Sequence, residues 1–305
     1  MVSNITEVIL RNATLSNGVT MFYREAGSSL NPTIVLLHGF PSSSHQYRLL
    51  IPLLALSFHV IAPDYPGFGF TLAPDNFEYS FASLATTFGY FLDAINVTKY
   101  AAYIFDYGAP IFFRHALQNP NGVTAIIAQN GNAYAQGLGQ TFWAPLEQYW
   151  ASVDPQTGQP TNQTYAIAEQ LRAAVIEDPA GTKTQYTTGT PQDQLSQIAP
   201  ESWTLDYYLL NRPGIPDIQL ALLLDYRNNV AMYPEFQSYL RKSNVPVLAA
   251  WGENDIIFPP IGAELLKTDV RDLEIYLLDA GHFLLETNSP TVADLITDFM
   301  HRKVH

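Results

Sequence analysis

Residues 100–110 read Tyr-Ala-Ala-Tyr-Ile-Phe-Asp-Tyr-Gly-Ala-Pro. The apolar run Tyr100–Phe105 predicts a buried strand. Asp106-Tyr107-Gly108 predicts a tight turn, and Ile111–Gln118 continues as a helical pattern. A strand running into a helix through a sharp turn is the context of a nucleophile elbow. Gly108 permits close approach of the turn to neighbouring backbone. Pro110 suits a first helical turn, where no N–H is needed. The apex residue stands above the carboxyl ends of the strands, where open α/β sheets bind ligands. The pattern Gly-x-Ser-x-Gly has serine at the apex. Here the apex is Asp106, with Ile104 two residues before it instead of glycine. A helix N-terminus beside that carboxylate favours its ionised form. Taken alone, Asp106 reads first as a helix N-cap, a common use of aspartate.

Working outward, short apolar runs alternate with helical patterns. Thr33–Leu37, Val60–Ala62, Val123–Ala128, Val245–Trp251 and Leu273–Leu278 predict further buried strands. Phe81–Ile95 and Thr291–His301 predict helices. Glu7–Leu10 and Thr20–Arg24 add antiparallel edge strands. This rhythm predicts an α/β fold with a mainly parallel sheet covered on both faces. It breaks between about Asn132 and Ser243. The expected organisation is a core of residues 1–132 and 244–305, with a helical cap inserted over residues 133–243.

The loops after three other strands carry a matching set. His38-Gly39-Phe40-Pro41 follows Thr33–Leu37. In folds with such an elbow, this loop supplies one oxyanion-hole N–H, here from Phe40. The residue after the nucleophile, Tyr107, supplies the other. Trp251-Gly252-Glu253-Asn254-Asp255 follows Val245–Trp251 and offers an acid. Asp255 is better placed than Glu253. Ala280-Gly281-His282-Phe283 follows Leu273–Leu278 and offers a general base. Nucleophile, acid, histidine is the α/β-hydrolase order along a chain. Each motif alone is weak, but the ordered set reverses the N-cap reading of Asp106.

With these motifs the chain resembles the epoxide hydrolase and dehalogenase branch of the α/β-hydrolase fold. LLHGFPSSSHQYR, VIAPDYPGFG, YIFDYGAP, LAAWGENDIIFPP and DAGHFLLET carry the resemblance. It implies an aspartate that opens an epoxide or displaces a halide, and an ester then cleaved by water. The chemistry of the residues agrees. A carboxylate is ionised at neutral pH and needs no activating base. His282, held by Asp255, would take a proton from water.

The departing atom divides the branch. Epoxide hydrolases use two cap tyrosines. Tyr226-Arg227-Asn228 resembles the second-tyrosine segment and Tyr149-Trp150 the first. Tyr233, Tyr207 and Tyr134 are further candidates. His38 is grouped with the substrate-binding residues. Haloalkane dehalogenases usually have Trp after the nucleophile, where this chain has Tyr107. Fluoroacetate-type dehalogenases resemble it at Trp150 and Tyr226, but their arginine clamp is missing at Tyr107 and Pro110. Some dehalogenases carry the acid in the loop that here reads Gln129-Asn130-Gly131-Asn132, without a carboxylate. The resemblance therefore implies an epoxide hydrolase first and a dehalogenase second. A non-catalytic binding protein or an isomerising or cyclising enzyme is a further alternative, since fold does not fix function.

The chain has 305 residues, 47% hydrophobic and 14% charged, with a formal net charge of -13 and pI about 4.8. Such an acidic surface argues against nucleic acid. The absence of cysteine excludes disulfides and thiolate chemistry. The histidines show no metal-ligand spacing, so neither metal nor cofactor is expected. The N-terminal residues lack an apolar signal core, and no run reaches membrane-spanning length. These features predict a cytoplasmic protein, and the Asn-x-Thr sequons at Asn4, Asn12, Asn96 and Asn162 read as chance matches. Phe40, Tyr107, Trp143, Trp150 and Phe283 suggest a small apolar substrate, with water as co-substrate. A monomer or homodimer is expected.

Overall fold

A computed structural model describes residues 7–304. The predicted sequon at Asn4 lies outside the described residues. Eight strands form one sheet: β1 Ile9–Thr14, β2 Thr20–Ala26, β3 Thr33–Leu37, β4 His59–Pro63, β5 Tyr100–Phe105, β6 Val123–Gln129, β7 Val247–Gly252 and β8 Leu273–Leu278. Their order is β1-β2-β4-β3-β5-β6-β7-β8. The β1/β2 and β2/β4 pairings are antiparallel, and the remaining pairings are parallel.

Strand β5 lies at the centre, and both of its faces are covered. Ala101, Tyr103 and Phe105 join the core on one side; Tyr100, Ala102 and Ile104 join the core on the other. This is why the segment is a continuous apolar run instead of an alternating one.

The helices are α1 Ile51–Leu54, α2 Phe81–Ala94, α3 Gly108–Gln118, α4 Gln140–Ala151, α5 Asn162–Leu171, α6 Pro179–Thr187, α7 Pro200–Leu210, α8 Ile215–Ala231, α9 Tyr233–Ser243, α10 Ile261–Leu265 and α11 Leu285–Lys303. Six of them, α4 to α9, fall between β6 and β7. A π-helical turn, Arg172–Ile176, follows α5. Among the described residues no helix is long and apolar enough to cross a membrane.

Two helices start earlier than the sequence pattern suggests. Helix α3 takes in Gly108–Pro110 because a proline in the first turn forfeits no helical hydrogen bond. Helix α11 runs through Pro290, with Leu285, Val292, Ile296 and Phe299 buried on one face. Proline removes one hydrogen bond. Burial of several large apolar side chains, each worth about 1.5–3 kcal/mol, outweighs it.

Candidate active site

The turn after β5 is tight despite Ile104. Asp106 has φ 47°, in the left-handed region that aspartate enters more readily than most residues. Gly108 is required by a close approach: a Cβ there would lie 2.2 Å from the Leu37 carbonyl oxygen at the end of β3. Gly39 is required by the nucleophile position itself, since its Cβ would lie 2.3 Å from Asp106 Cβ. The loop after β3 can therefore press against the elbow. Its Phe40 N–H donates to Asp106 Oδ1 over 2.6 Å. The carboxylate is turned towards that loop, and Tyr107 is the N-cap residue of α3.

Burial raises the Asp106 pKa from its ordinary 3.8 to about 6. His282 and the backbone N–H groups of Tyr107 and Phe40 pull it down, while Asp255 adds to the rise. Desolvation disfavours the anion, and the fixed donors restore part of what water would supply.

The sheet brings the other two loops to the same place. His282 Nδ1 lies 2.7 Å from Asp255 Oδ2. Burial opposes a charge on His282, but Asp255, by charge and hydrogen bond, and Asp106 together raise its pKa. His282 Nε2 is buried and has no partner among the described residues. Asp255 is held from two further directions. Its Oδ1 accepts the Ile257 N–H over 2.7 Å, and its Oδ2 accepts Asn130 Nδ2 over 2.8 Å. Asn130 Oδ1 also accepts the Gly252 N–H over 2.9 Å. Asn130 has φ 45° at the end of β6, in the loop where some dehalogenases keep their acid. Its role as a donor to the acid from the next strand was not legible from the missing carboxylate alone. The Asn130-Gly131 pair, a turn signal, was its one local mark in the sequence.

His38 occupies a structural place. Its Nε2 accepts the Tyr65 N–H and its Nδ1 lies beside the Gly39 carbonyl, each over 3.2 Å. Burial lowers its pKa to about 4, against the pull of Asp64 and the Gly39 carbonyl. A neutral ring with both nitrogens on backbone fixes the loop that carries Phe40.

Beside the elbow, Tyr226 from the helices between β6 and β7 packs its ring on Tyr107. The hydroxyls of Tyr226 and Tyr233 lie 3.4 Å apart, and both residues are buried. Burial is the largest cause raising both pKa values, and the Asp106 charge adds to each. Both therefore remain protonated phenols. Asn132 Nδ2 lies 3.5 Å from the Tyr233 hydroxyl. Tyr226 also packs against Trp143 and Trp150.

The other aromatic candidates are used differently. Trp150 donates its indole N–H to the Leu223 carbonyl over 2.8 Å. Trp143 donates to the Ile257 carbonyl over 2.9 Å. Tyr149 is buried, and burial raises its pKa against Arg227 and Arg172. Tyr134 donates to Asp269 over 2.8 Å and Tyr207 to the Glu177 carbonyl over 3.1 Å. The structure thus brings Tyr226 and Tyr233 together, with Tyr226 packed on Tyr107 beside Asp106, and commits Trp150, Tyr134 and Tyr207 to hydrogen bonds elsewhere. The Tyr107 hydroxyl is buried without a partner among the described residues.

A second polar cluster ties these helices to the core. The Tyr186 hydroxyl on α6 donates to Asp206 on α7, and its ring stacks on Phe283 with centroids 3.8 Å apart. Phe283 follows His282 directly. Arg48 makes a two-pronged contact with Glu286 on α11, at 2.8 and 2.6 Å, and Ser202 on α7 donates to the same carboxylate over 2.9 Å.

An elbow carboxylate, a histidine–aspartate pair and a backbone donor on this sheet order place the protein among the strand–helix hydrolases. Residues 32–289 match the alpha/beta hydrolase fold family, and the chain belongs to it. It is 48% identical over 282 residues to an uncharacterized hydrolase of Saccharomyces cerevisiae, covering 92% of this chain and 93% of that one. It is 25% identical over 275 residues to haloalkane dehalogenase 2 of Mycobacterium tuberculosis, covering 88% and 87% of the two chains. The solved structure of the epoxide hydrolase CorEH superimposes with a TM-score of 0.73 at 21% identity, covering 97% of this chain and 99% of that one. At that identity the likeness shows the fold alone.

Proposed function

We propose that this hydrolase opens an apolar epoxide to a vicinal diol through an ester on Asp106. The observation that carries this reading is the pair of buried phenols, Tyr226 and Tyr233, with hydroxyls 3.4 Å apart and the Tyr226 ring packed on Tyr107, the residue after Asp106. Two convergent phenols suit an oxirane oxygen that becomes an alkoxide. The indole donors that would suit a departing halide are occupied: Trp150 and Trp143 both donate to backbone carbonyls.

In this reading an Asp106 oxygen attacks one ring carbon. The ring C–O bond breaks, and a tyrosine phenol passes its proton to the alkoxide. His282 Nε2 then takes a proton from water, whose oxygen attacks the carboxyl carbon of Asp106. The N–H groups of Phe40 and Tyr107 stabilise the tetrahedral oxyanion. Its collapse breaks the alkyl ester bond, the expelled alkoxide takes the proton of the regenerated Asp106 carboxyl group, the diol leaves, and the proton on His282 returns to the phenolate through water. One water is consumed for each diol formed. The helices α4 to α9 would act as the cap that excludes bulk water.

Dehalogenation is the second reading, favoured by the likeness to haloalkane dehalogenase 2 over most of both chains. The deciding experiment incubates the protein with terminal epoxides and, separately, with chloro- and bromoalkanes. Diol formation without halide release is expected. Halide release without diol formation would replace the first reading with the second.

A further inference from the structure

A cavity of about 240 Å³ opens on His282 and Asp255 between the π-helical turn, α6 and the loop after β7. Its apolar wall consists of Phe142, Ala174, Val175, Ile256 and Ile257. Its polar groups are mostly committed. Asp178 Oδ1 accepts the Ala180 N–H over 2.9 Å, and Thr184 donates to the Ala180 carbonyl over 2.7 Å. Both oxygens of Asp255 are held by Ile257, Asn130 and His282. Gln185 on α6 differs. It lines the cavity, is only 9% exposed, and makes no side-chain hydrogen bond among the described residues. Its carboxamide is not sealed from solvent, so a ligand oxygen in the cavity can take the place of water as its partner.

From this geometry we infer that the cavity is the pocket for the substrate's substituent, and that Gln185 is a specificity residue donating a hydrogen bond to an oxygen on it. This rests on the epoxide reading and narrows its substrate class. The substituent is slender, because the space is at the small end for ligand pockets, which run from ~300 to 1,000 Å³. It is apolar along most of its length and carries one ether, hydroxyl or carbonyl oxygen beyond the oxirane.

The test compares phenyl glycidyl ether with its carbon isostere, in which a methylene replaces the ether oxygen. The wild type should favour the ether in kcat/KM by about tenfold, the scale of one buried hydrogen bond to a neutral partner. Gln185→Leu should remove that preference by slowing the ether alone, with the isostere unchanged within about twofold. Gln185→Met serves as a second variant of similar length and should behave alike. Calorimetric binding of the two product diols reads the same pocket without chemistry. If the diols show a preference that Gln185→Leu abolishes while no epoxide is opened, the pocket inference stands and the epoxide reading falls. If both epoxides are opened equally well, or if both variants weaken ether and isostere alike, the inference is overturned while epoxide opening stands.

Discussion

The backbone N–H of Phe40 donates to Oδ1 of Asp106 over 2.6 Å in the resting protein. A donor suited to an oxyanion is thus already aligned on the buried carboxylate. The anion is nevertheless costly, because burial pushes the Asp106 pKa from 3.8 to about 6. Below pH ~4 folded and unfolded chains both hold the proton, and the group has no effect on stability. As pH rises from ~4 to ~6 the unfolded chain loses the proton first, so the folded state is disfavoured. Above ~6 the full cost of about 3 kcal/mol remains. Asp106→Asn removes that charge. Its thermal stability should exceed the wild type's at pH 8, with the gap closing as pH falls towards ~4. Thermal unfolding across that range measures it, and a gap independent of pH would contradict it.

Activity should follow the same ionisation. Only the Asp106 anion attacks, so kcat/KM for an epoxide should rise with pH through a midpoint near 6 and then level off. Its coupling to His282 makes the measured midpoint a property of the pair. A flat profile between pH ~5 and ~8 would argue against Asp106 as the ionising group.

Tyr226→Phe and Tyr233→Phe should each lower kcat/KM for epoxides by about a hundredfold, the lower end of what a positioned acid contributes. Trp150→Phe should cost stability through loss of the indole bond to the Leu223 carbonyl, about 1 kcal/mol, and leave the ring-opening rate within a few-fold. Steady-state kinetics beside chemical denaturation separates these effects. A large rate loss in Trp150→Phe with the two phenylalanine variants unaffected would reverse the assignment of the leaving-group site.

Asn130→Ala removes the amide donor from Asp255 and from the Gly252 N–H its acceptor. Asp255 should then orient His282 less well. Ester hydrolysis is expected to slow by about tenfold, with ring opening little changed. Rapid-quench kinetics distinguishes the steps: ester should accumulate in the variant. Equal slowing of both steps would mean that Asn130 serves only to hold the loops.

Much of this arrangement was legible from local sequence. Tyr100–Phe105 and Leu273–Leu278 have the strand boundaries that their apolar runs predict, but only the first is a buried strand: Leu273–Leu278 lies at the sheet edge, with Tyr276 and Leu277 exposed. The loops with Asp106, Asp255 and His282 follow their strands directly, so strand order alone brings them together. The leaving-group side was harder to read. The Tyr226–Tyr233 contact spans the break between α8 and α9, and the Trp150 donor is taken by a carbonyl 73 residues away. Such choices depend on helix packing, which aromatic composition does not encode. Gln185 was equally silent: its environment comes from a π-helical turn and a loop distant in the chain.

The most direct test uses His282→Gln, in which water activation is removed while Asp106 and its Phe40 donor remain. After incubation with styrene oxide, the intact protein should gain the mass of one epoxide, and peptide mapping should place that mass on Asp106. An unmodified His282→Gln protein, beside a wild type that still forms diol and an Asp106→Asn variant that does so equally well, would contradict the aspartyl ester.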